Sequence, residues 1–455
     1  MQQFCTRFRV SRRDCITLHN SAVNIYNSVF INPFKEYSRN ENLISVNSFD
    51  IFDTIIARDV RYPHNIFDII EASFPFENFK SIRMYADQIA NHTFDDIYNK
   101  FQQLTNVNDS VLIKLKQYEL DAEFNHTYII DENYNKIQDG DILVSDMYFS
   151  SNTIRNLLNS KHFNKSVNIY VSSNGKYLGW MWQRLRSIYD IKLHLGDNHM
   201  SDVIMAYQNG IPSEYSNTHE FSPIEDIYME LIEQNEYKNN KSIELFALMM
   251  RRFRHLNPYQ IKSREYYLYN DQIQYNIPLL LLIAKDLLRI AEEEQLERIL
   301  LITRDGCLLQ KIFVNIFNNI NVSIIRFESS RILNRNPSKE YKEYIKQMYK
   351  PGVSIIFDIN GGTGSSDQMY LDIFNFYPRI YLFNYINTSS AIANTTRHNS
   401  NLTFRFQHRF AFHRLETFNY DVVGPLVKVF MEEDHSIVFM RSPIVDYNIR
   451  SYMHV

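Results

Sequence analysis

Hydrophobic positions along the chain fall into two kinds of run. One kind is short, partly β-branched and bounded by polar or glycine-containing turns. It covers 43–47, 142–146, 167–172, 191–195, 298–303, 322–327, 353–357 and 379–385, and it predicts buried strands. The other kind repeats apolar side chains at helical spacing: Ile66, Phe67, Ile69 and Ile70, then Ile82, Tyr85 and Ile89, then Ile97, Tyr98 and Phe101. Helical runs at 151–158, 180–188 and 202–209 alternate with the strands, and Gly210 closes the last as a left-handed C-cap. Such alternation predicts an α/β fold with parallel sheets and helices on both faces. The stretch from Pro63 to Asn135 has helical character throughout and predicts an insertion between the first strand and the second.

A polar stretch, Ser213 to Ser222, lies between Pro212 and Pro223 and marks a domain boundary. Helical runs at 243–256 and 277–293 follow, and strand–helix alternation then resumes. The expected organisation is a lead-in at 1–42, a first domain at 43–215 with its helical insertion at about 63–135, and a second α/β domain at 224–455. The pattern gives no clear elements from about His398 onward.

A chain of 455 residues favours two or three domains over one. Its net charge of −4 offers no general attraction to nucleic acid or anionic membrane, so no nucleic-acid partner is expected. Arg7, Arg9, Arg12 and Arg13 make the lead-in locally basic, which fits a solvated arm or a packed first helix better than a nucleic-acid tail. Cys5, Cys15 and Cys307 are scattered, which argues against a disulfide scaffold or a thiolate zinc site and favours a reducing, cytoplasmic setting. The longest apolar run stops at Lys285, far short of a membrane span. The N-terminus begins polar, with no apolar core of a secretory signal.

Chemistry gathers where strands end. Asp50 follows the first strand, Ser145 the second, Lys176 the third, and Asp197 with Asp202 the fourth. In a parallel sheet all these ends lie on one edge, where ligands sit. Each residue type has a task in phosphoryl transfer. A carboxylate attacks phosphorus, a hydroxyl donates to a phosphate oxygen, a lysine offsets charge, and paired aspartates hold Mg²⁺. His194 and His199 flank Asp197, where a catalytic or metal role is one reading and incidental loop histidines the favoured one, since Mg²⁺ prefers oxygen ligands.

In order and spacing these motifs resemble the haloacid dehalogenase-like superfamily, over about residues 43 to 215. Ser48 to Thr54 sits at its nucleophile motif, with Asp50 at the nucleophile position. Ser145 matches the second motif and Lys176 the third. Gly196-Asp197 followed by Asp202 fits the fourth. The insertion lies where that family carries a helical cap. With Ser145 to Tyr148, Arg304 to Gly306 and Ser330-Arg331, the chain looks like a subgroup of predicted hydrolases of this family met among surface-polysaccharide proteins. The resemblance implies a Rossmann-like parallel sheet and one Mg²⁺ on Asp50, the Phe52 carbonyl, Asp197 and Asp202. It also implies an aspartyl-phosphate on Asp50, and a small phosphorylated metabolite of the sugar phosphate or nucleotide class as substrate.

One position departs from the family. Its phosphatases place a second Asp two residues after the nucleophile, as general acid and base, and Phe52 stands there. Asp53 follows, and on a strand end it points to the opposite face unless the backbone turns. Weak phosphatase activity is therefore expected, and a scaffold that turns over slowly or not at all is the alternative.

The second half offers a further candidate. Asp358, Gly361, Gly362, Thr363, Gly364 and Ser365 form a glycine- and hydroxyl-rich stretch read as a loop after the strand at 353–357. Such a loop can cradle phosphate with backbone N–H groups, or it can be a plain turn. It partly resembles the ribose-phosphate loop of phosphoribosyltransferases, with Arg304 and Asp305 where their pyrophosphate loop falls. It also looks like the phosphate loop of sugar kinases. A glycosyl- or phosphoribosyl-type transferase centred on this half is the third reading.

Overall fold

The computed structural model describes residues 43–74, 76–90, 93–234, 241–303, 306–317, 320–361, 365–385, 401–406, 419, 424–434 and 436–443. The expected lead-in, 1–42, lies outside them. In chain order the strands are β1 (Ile44–Phe49), β2 (Ile56–Arg58), β3 (Thr127–Ile129), β4 (Ile142–Asp146), β5 (Asn168–Ser172), β6 (Tyr189–Gly196) and β7 (Ser213–Tyr215). They continue with β8 (Arg298–Ile302), β9 (Ser323–Phe327), β10 (Ser354–Gly361), β11 (Ile380–Tyr385), β12 (Leu402–Phe406), β13 (Leu426–Met431) and β14 (Ile437–Arg441). The protein is mixed α/β, and its two larger sheets are parallel.

The described residues gather into two compact units. One comprises 43–56, 67–124 and 137–217, and the other 57–66, 125–136 and the residues from 218 onward. The division at 217/218 falls inside the polar stretch between Pro212 and Pro223. The first part of that stretch is not linker: it forms β7, which pairs with β6.

The sheet of the first unit runs β5-β4-β1-β6-β7, all parallel. β1 is central because the chain builds outward from it twice, first to β4 and β5, then back to β6 and β7. The carboxyl ends of β1, β4 and β6 therefore meet at the point where the winding reverses, the ligand crevice of open α/β sheets. Apolar side chains of strands and helices close one core that includes Val46, Ile142, Val144, Trp182, Leu185 and Ile191.

The insertion after β1 contains the helices Ile66–Ser73, Phe79–Ile89, Phe94–Thr105 and Asp109–Asn125. Thr93 caps the third by accepting from Asp96 N–H, and its Ile97, Tyr98 and Phe101 are fully buried, the face that the helical spacing predicts. Arg83 and Glu119 form a buried bidentate ion pair with both contacts at 2.8 Å. Tyr98 and Tyr148 donate their hydroxyls to the same carboxylate at 2.8 and 3.0 Å.

The insertion is not wholly helical. β2 and β3 pair with each other, and segments 57–66 and 125–136 belong to the second unit. The cause is the helix Lys241–His255. Its Arg251 donates to the Arg58 and Val60 carbonyls at 2.7 and 2.8 Å, and its His255 meets the Tyr128 hydroxyl at 3.0 Å. Local periodicity carries no trace of partners this remote.

The sheet of the second unit runs β12-β11-β10-β8-β9, again all parallel, with an apolar cluster on each face. β10 is longer than its apolar run suggests. Beyond Phe357, where pairing with β8 stops, it stays paired with β11 through Asp358↔Leu382, Asn360↔Asn384 and Gly361↔Tyr385. Asp358 and Gly361 are therefore strand residues, a correction to the loop expected from 358. Within the stretch that defied parsing lie β12 and the antiparallel hairpin β13–β14. No described helix is long and apolar enough to cross a membrane.

Candidate active site

Asp50 comes directly after β1. Its N–H donates to the Leu195 carbonyl of β6 at 2.8 Å, continuing the parallel register one residue past Phe49. The chain then coils tightly. Ile55 and Ile56 N–H both donate to the Ile51 carbonyl, and Asp53 N–H donates to the Ile56 carbonyl at 2.7 Å. Asp53 has φ +58°, a left-handed conformation that Asp tolerates better than most residues. The backbone does turn there, so strand alternation does not set the direction of its side chain. Phe52 is half-buried in the same turn and bridges to Ile56. Thr54 is buried and donates to Asp197 Oδ1 at 3.1 Å, tying this turn to the end of β6.

Lys176 is presented by the loop after β5. Asp146, at the end of β4, shapes that loop: it accepts from Ser172 Oγ at 3.2 Å, Lys176 N–H at 2.9 Å and Tyr177 N–H at 3.0 Å. Ser145 is buried one residue before it, in register with Val171. The Lys176 side chain is buried, and its Nζ donates both to Asp50 and, at 2.6 Å, to Asp202 Oδ1.

Asp197 and Asp202 come from the turn after β6. The Asn198 side chain accepts from Met200 and Ser201 N–H, and Asp202 N–H donates to the Asn198 carbonyl at 2.8 Å. These bonds start a π-helical turn, His199–Ile204, where an α-helix from Asp202 is expected. The wider turn brings the Asp202 carboxylate back over Gly196. A Cβ at Gly196 would lie 2.4 Å from that carboxyl carbon, so only glycine fits.

His194 overturns its reading as an incidental loop residue. It lies within β6, fully buried, with Nδ1 2.8 Å from Ser48 Oγ and Nε2 3.2 Å from Asp202 Oδ1. Trp182 packs edge-on at 4.6 Å between ring centroids. His199 does lie beyond the strand, exposed, with its ring 6.1 Å from that of Tyr215.

Charge in this cluster is set by burial and by near neighbours. Burial lifts the Asp50 carboxyl well above the usual range, and the Asp202 and Asp197 carboxylates add to this against the pull of Lys176. Burial acts against the Lys176 ammonium, but Asp202 and Asp50 outweigh it and hold the proton firmly. Burial would raise Asp202 too, yet Lys176 and His194 keep it well below the usual carboxylate range. Burial depresses His194, which favours the neutral ring.

One oxygen from each of Asp50, Asp197 and Asp202 lies within 4.8 Å of the others. Three acidic side chains around one ammonium offer only hard oxygen donors, and a cation among them would favour the ionised form of Asp50. This set suits a hard divalent cation such as Mg²⁺. Asp202 has partners on both oxygens: Oδ1 accepts from Lys176 and lies 3.2 Å from His194 Nε2, and Oδ2 accepts from Asn198 N–H at 2.9 Å.

The structure thus brings together Asp50, Lys176, Asp197 and Asp202, with Ser145 on the same sheet edge. Thr54, Asp146 and His194 belong to the cluster and were not singled out for a role by spacing. His194 leaves no distinct trace in the chain, because it continues the polar alternation of Asp190 and Lys192 along β6, yet unlike them it is fully buried. In the second unit, Asp358 and Gly361 lie in β10 and Ser365 begins the helix Ser365–Phe374. Arg304, Asp305, Gly362, Thr363 and Gly364 lie outside the described residues. In comparisons with known proteins, the chain matches no family model and no curated protein.

Proposed function

We propose that the first unit carries out phosphoryl transfer or hydrolysis on a small phosphorylated metabolite, with Asp50 as nucleophile. The observation that carries this reading is the convergence of Asp50, Asp197 and Asp202 around buried Lys176 at the reversal point of a parallel sheet. A carboxylate oxygen of Asp50 would attack phosphorus while the bond to the leaving oxygen breaks, giving an aspartyl-phosphate that water then hydrolyses. Lys176 holds its charge against both Asp50 and the incoming phosphate, and Ser145 would donate to a phosphate oxygen. Asp50, Asp197 and the Phe52 carbonyl would hold Mg²⁺, which when bound offsets carboxylate and phosphate charge. Asp202 would serve chiefly to anchor Lys176.

Phe52 offers no proton to the leaving group, so the leaving oxygen must take one from water or already be a stable anion. This favours reactive or low-pKa leaving groups over ordinary sugar monoesters. The helical insertion would act as a cap over the site, as in the family that the motifs resemble. The same Phe52 also favours a second reading, a phosphate-binding scaffold with little turnover.

Titration with Mg²⁺ and BeF₃⁻, followed by ¹⁹F NMR, tests the first reading. A bound BeF₃⁻ signal that needs Mg²⁺ and disappears in Asp50→Asn is expected. No bound signal in folded wild-type protein would remove Asp50 as nucleophile.

A further inference from the structure

We infer that His194 is a positioning residue, which fixes Lys176 for its work at Asp50 by orienting the Asp202 carboxylate between them. The inference rests on the phosphoryl-transfer reading for its purpose, but the arrangement itself stands on geometry. β1 and β6 pair in parallel with Ser48 directly opposite His194, so the two side chains meet on one face two residues before Asp50 and before Gly196. Both are fully buried. Every polar atom of the imidazole is used, Nδ1 with Ser48 Oγ at 2.8 Å and Nε2 with Asp202 Oδ1 at 3.2 Å.

The direction of these bonds follows from the groups at the end of the chain. Asp202 already accepts from the Lys176 ammonium and from Asn198 N–H, so it is ionised and can only accept. His194 Nε2 must therefore carry a proton, while Nδ1 is held by the Ser48 hydroxyl. The chain runs from Ser48 through His194, which donates to Asp202, while Lys176 donates to Asp202 from the other side. Trp182 closes against the ring and also donates its Nε1–H to the Ser201 carbonyl at 3.1 Å, holding the turn that bears Asp202.

A carboxylate with one strong partner can rotate, while one held through three donors cannot. Asp202 Oδ1 is shared by Lys176 and His194, so the imidazole fixes the oxygen on which the ammonium sits. Nothing in β6 requires a histidine for packing, since an apolar ring would fill the same volume beside Trp182. What an apolar ring lacks is the N–H aimed at Asp202. Partners of this kind, one shell removed from the reacting groups, typically matter by about 10–100-fold.

The test uses the full chain and two variants. His194→Gln keeps an N–H donor within reach of Asp202, and His194→Phe fills the space without one. In ¹⁵N-edited NMR of wild type, the ring signal that vanishes in His194→Gln should show a proton on Nε2. A ring protonated at Nδ1 alone would overturn the inference, and this measurement needs neither metal nor turnover. In the second arm, BeF₃⁻ affinity at saturating Mg²⁺ should fall by about 10–100-fold in His194→Phe and stay close to wild type in His194→Gln. Mg²⁺ affinity by calorimetry should be alike in all three. Equal BeF₃⁻ affinity in Phe and Gln variants, or parallel loss of Mg²⁺ binding in both, would make His194 a packing residue and sink the idea. If His194→Phe does not fold, Ser48→Ala takes its place, with loss of the single Nε2–H tautomer as the expected result and an unchanged tautomer as the overturning one. A wild type that binds no BeF₃⁻ defeats the phosphoryl-transfer reading, and the tautomer still decides the role of His194.

Discussion

Lys176 Nζ donates to Asp202 Oδ1 at 2.6 Å while also gripping Asp50, so one buried ammonium joins the end of β1 to the turn after β6. Its charge favours the ionised form of both carboxyls. Lys176→Met should therefore destabilise the protein by about 3–5 kcal/mol in EDTA, the usual cost of stranding buried charge. Mg²⁺ should recover part of the loss, because a bound cation stabilises the folded state. Urea unfolding with and without Mg²⁺ measures both effects. A variant as stable as wild type in EDTA would show that the cluster does not carry the charge described.

Phe52 stands where a proton donor would assist a leaving group. Wild-type hydrolysis of a generic aryl phosphate should be weak, and Phe52→Asp should raise it by up to about 10²–10⁴-fold, the range for a positioned general acid. Initial rates on p-nitrophenyl phosphate decide this. Fast wild-type turnover, unaltered by the substitution, would mean that proton transfer does not pass through this position.

Arg83 and Glu119 face each other with no solvent access inside the helical insertion. Glu119→Gln should cost about 3–5 kcal/mol by removing the buried carboxylate from the guanidinium, which then keeps half-buried Asp87 at 3.9 Å. Arg83→Met combined with Glu119→Leu should regain part of that loss, Tyr98 and Tyr148 losing their acceptor. Thermal and chemical unfolding of the two variants form the comparison. A single variant no less stable than the double one would contradict the pairing.

His255 is buried between Tyr128 Oη and the Thr218 carbonyl, and burial, with Arg254 and Arg251 nearby, holds its pKa well below the ordinary value. The unfolded ring takes a proton near pH 6.5 and the folded ring only at lower pH. Stability from this group is thus fully present above about pH 6.5 and falls as pH drops toward the folded pKa, by at most about 1.4 kcal/mol per pH unit. Unfolding free energies from pH 7.5 to 5 should fall more steeply for wild type than for His255→Gln. Equal slopes would exclude a neutral buried ring.

Much of this architecture is written locally. Short apolar runs and helical spacings are properties of neighbouring residues, so β4, β5, β8, β9 and β11 lie close to their expected places, as do the helices of the insertion. The strand ends carrying Asp50, Ser145, Lys176 and Asp197 were legible for the same reason. A polar residue that halts an apolar run marks the sheet edge whatever the strand order.

Tertiary structure decided what neighbours cannot encode. Only the parallel pairing of β1 with β6 sets Ser48 against His194, which is why a histidine that merely continues the polar alternation of Asp190 and Lys192 reads as incidental. Gly196 reads as a turn residue until Asp202 is seen folded onto it with no room for a Cβ. Asp358 looked like the start of a loop because apolarity ends at Phe357, yet hydrogen bonds to β11 continue the strand regardless of side-chain polarity. β2 and β3 pair because Arg251 and His255, more than a hundred residues away from either strand, supply their partners. Hydrophobic period reports which face of an element is buried. Which polar groups then meet across that buried face is settled by strand order and register, and these exist only in the folded chain.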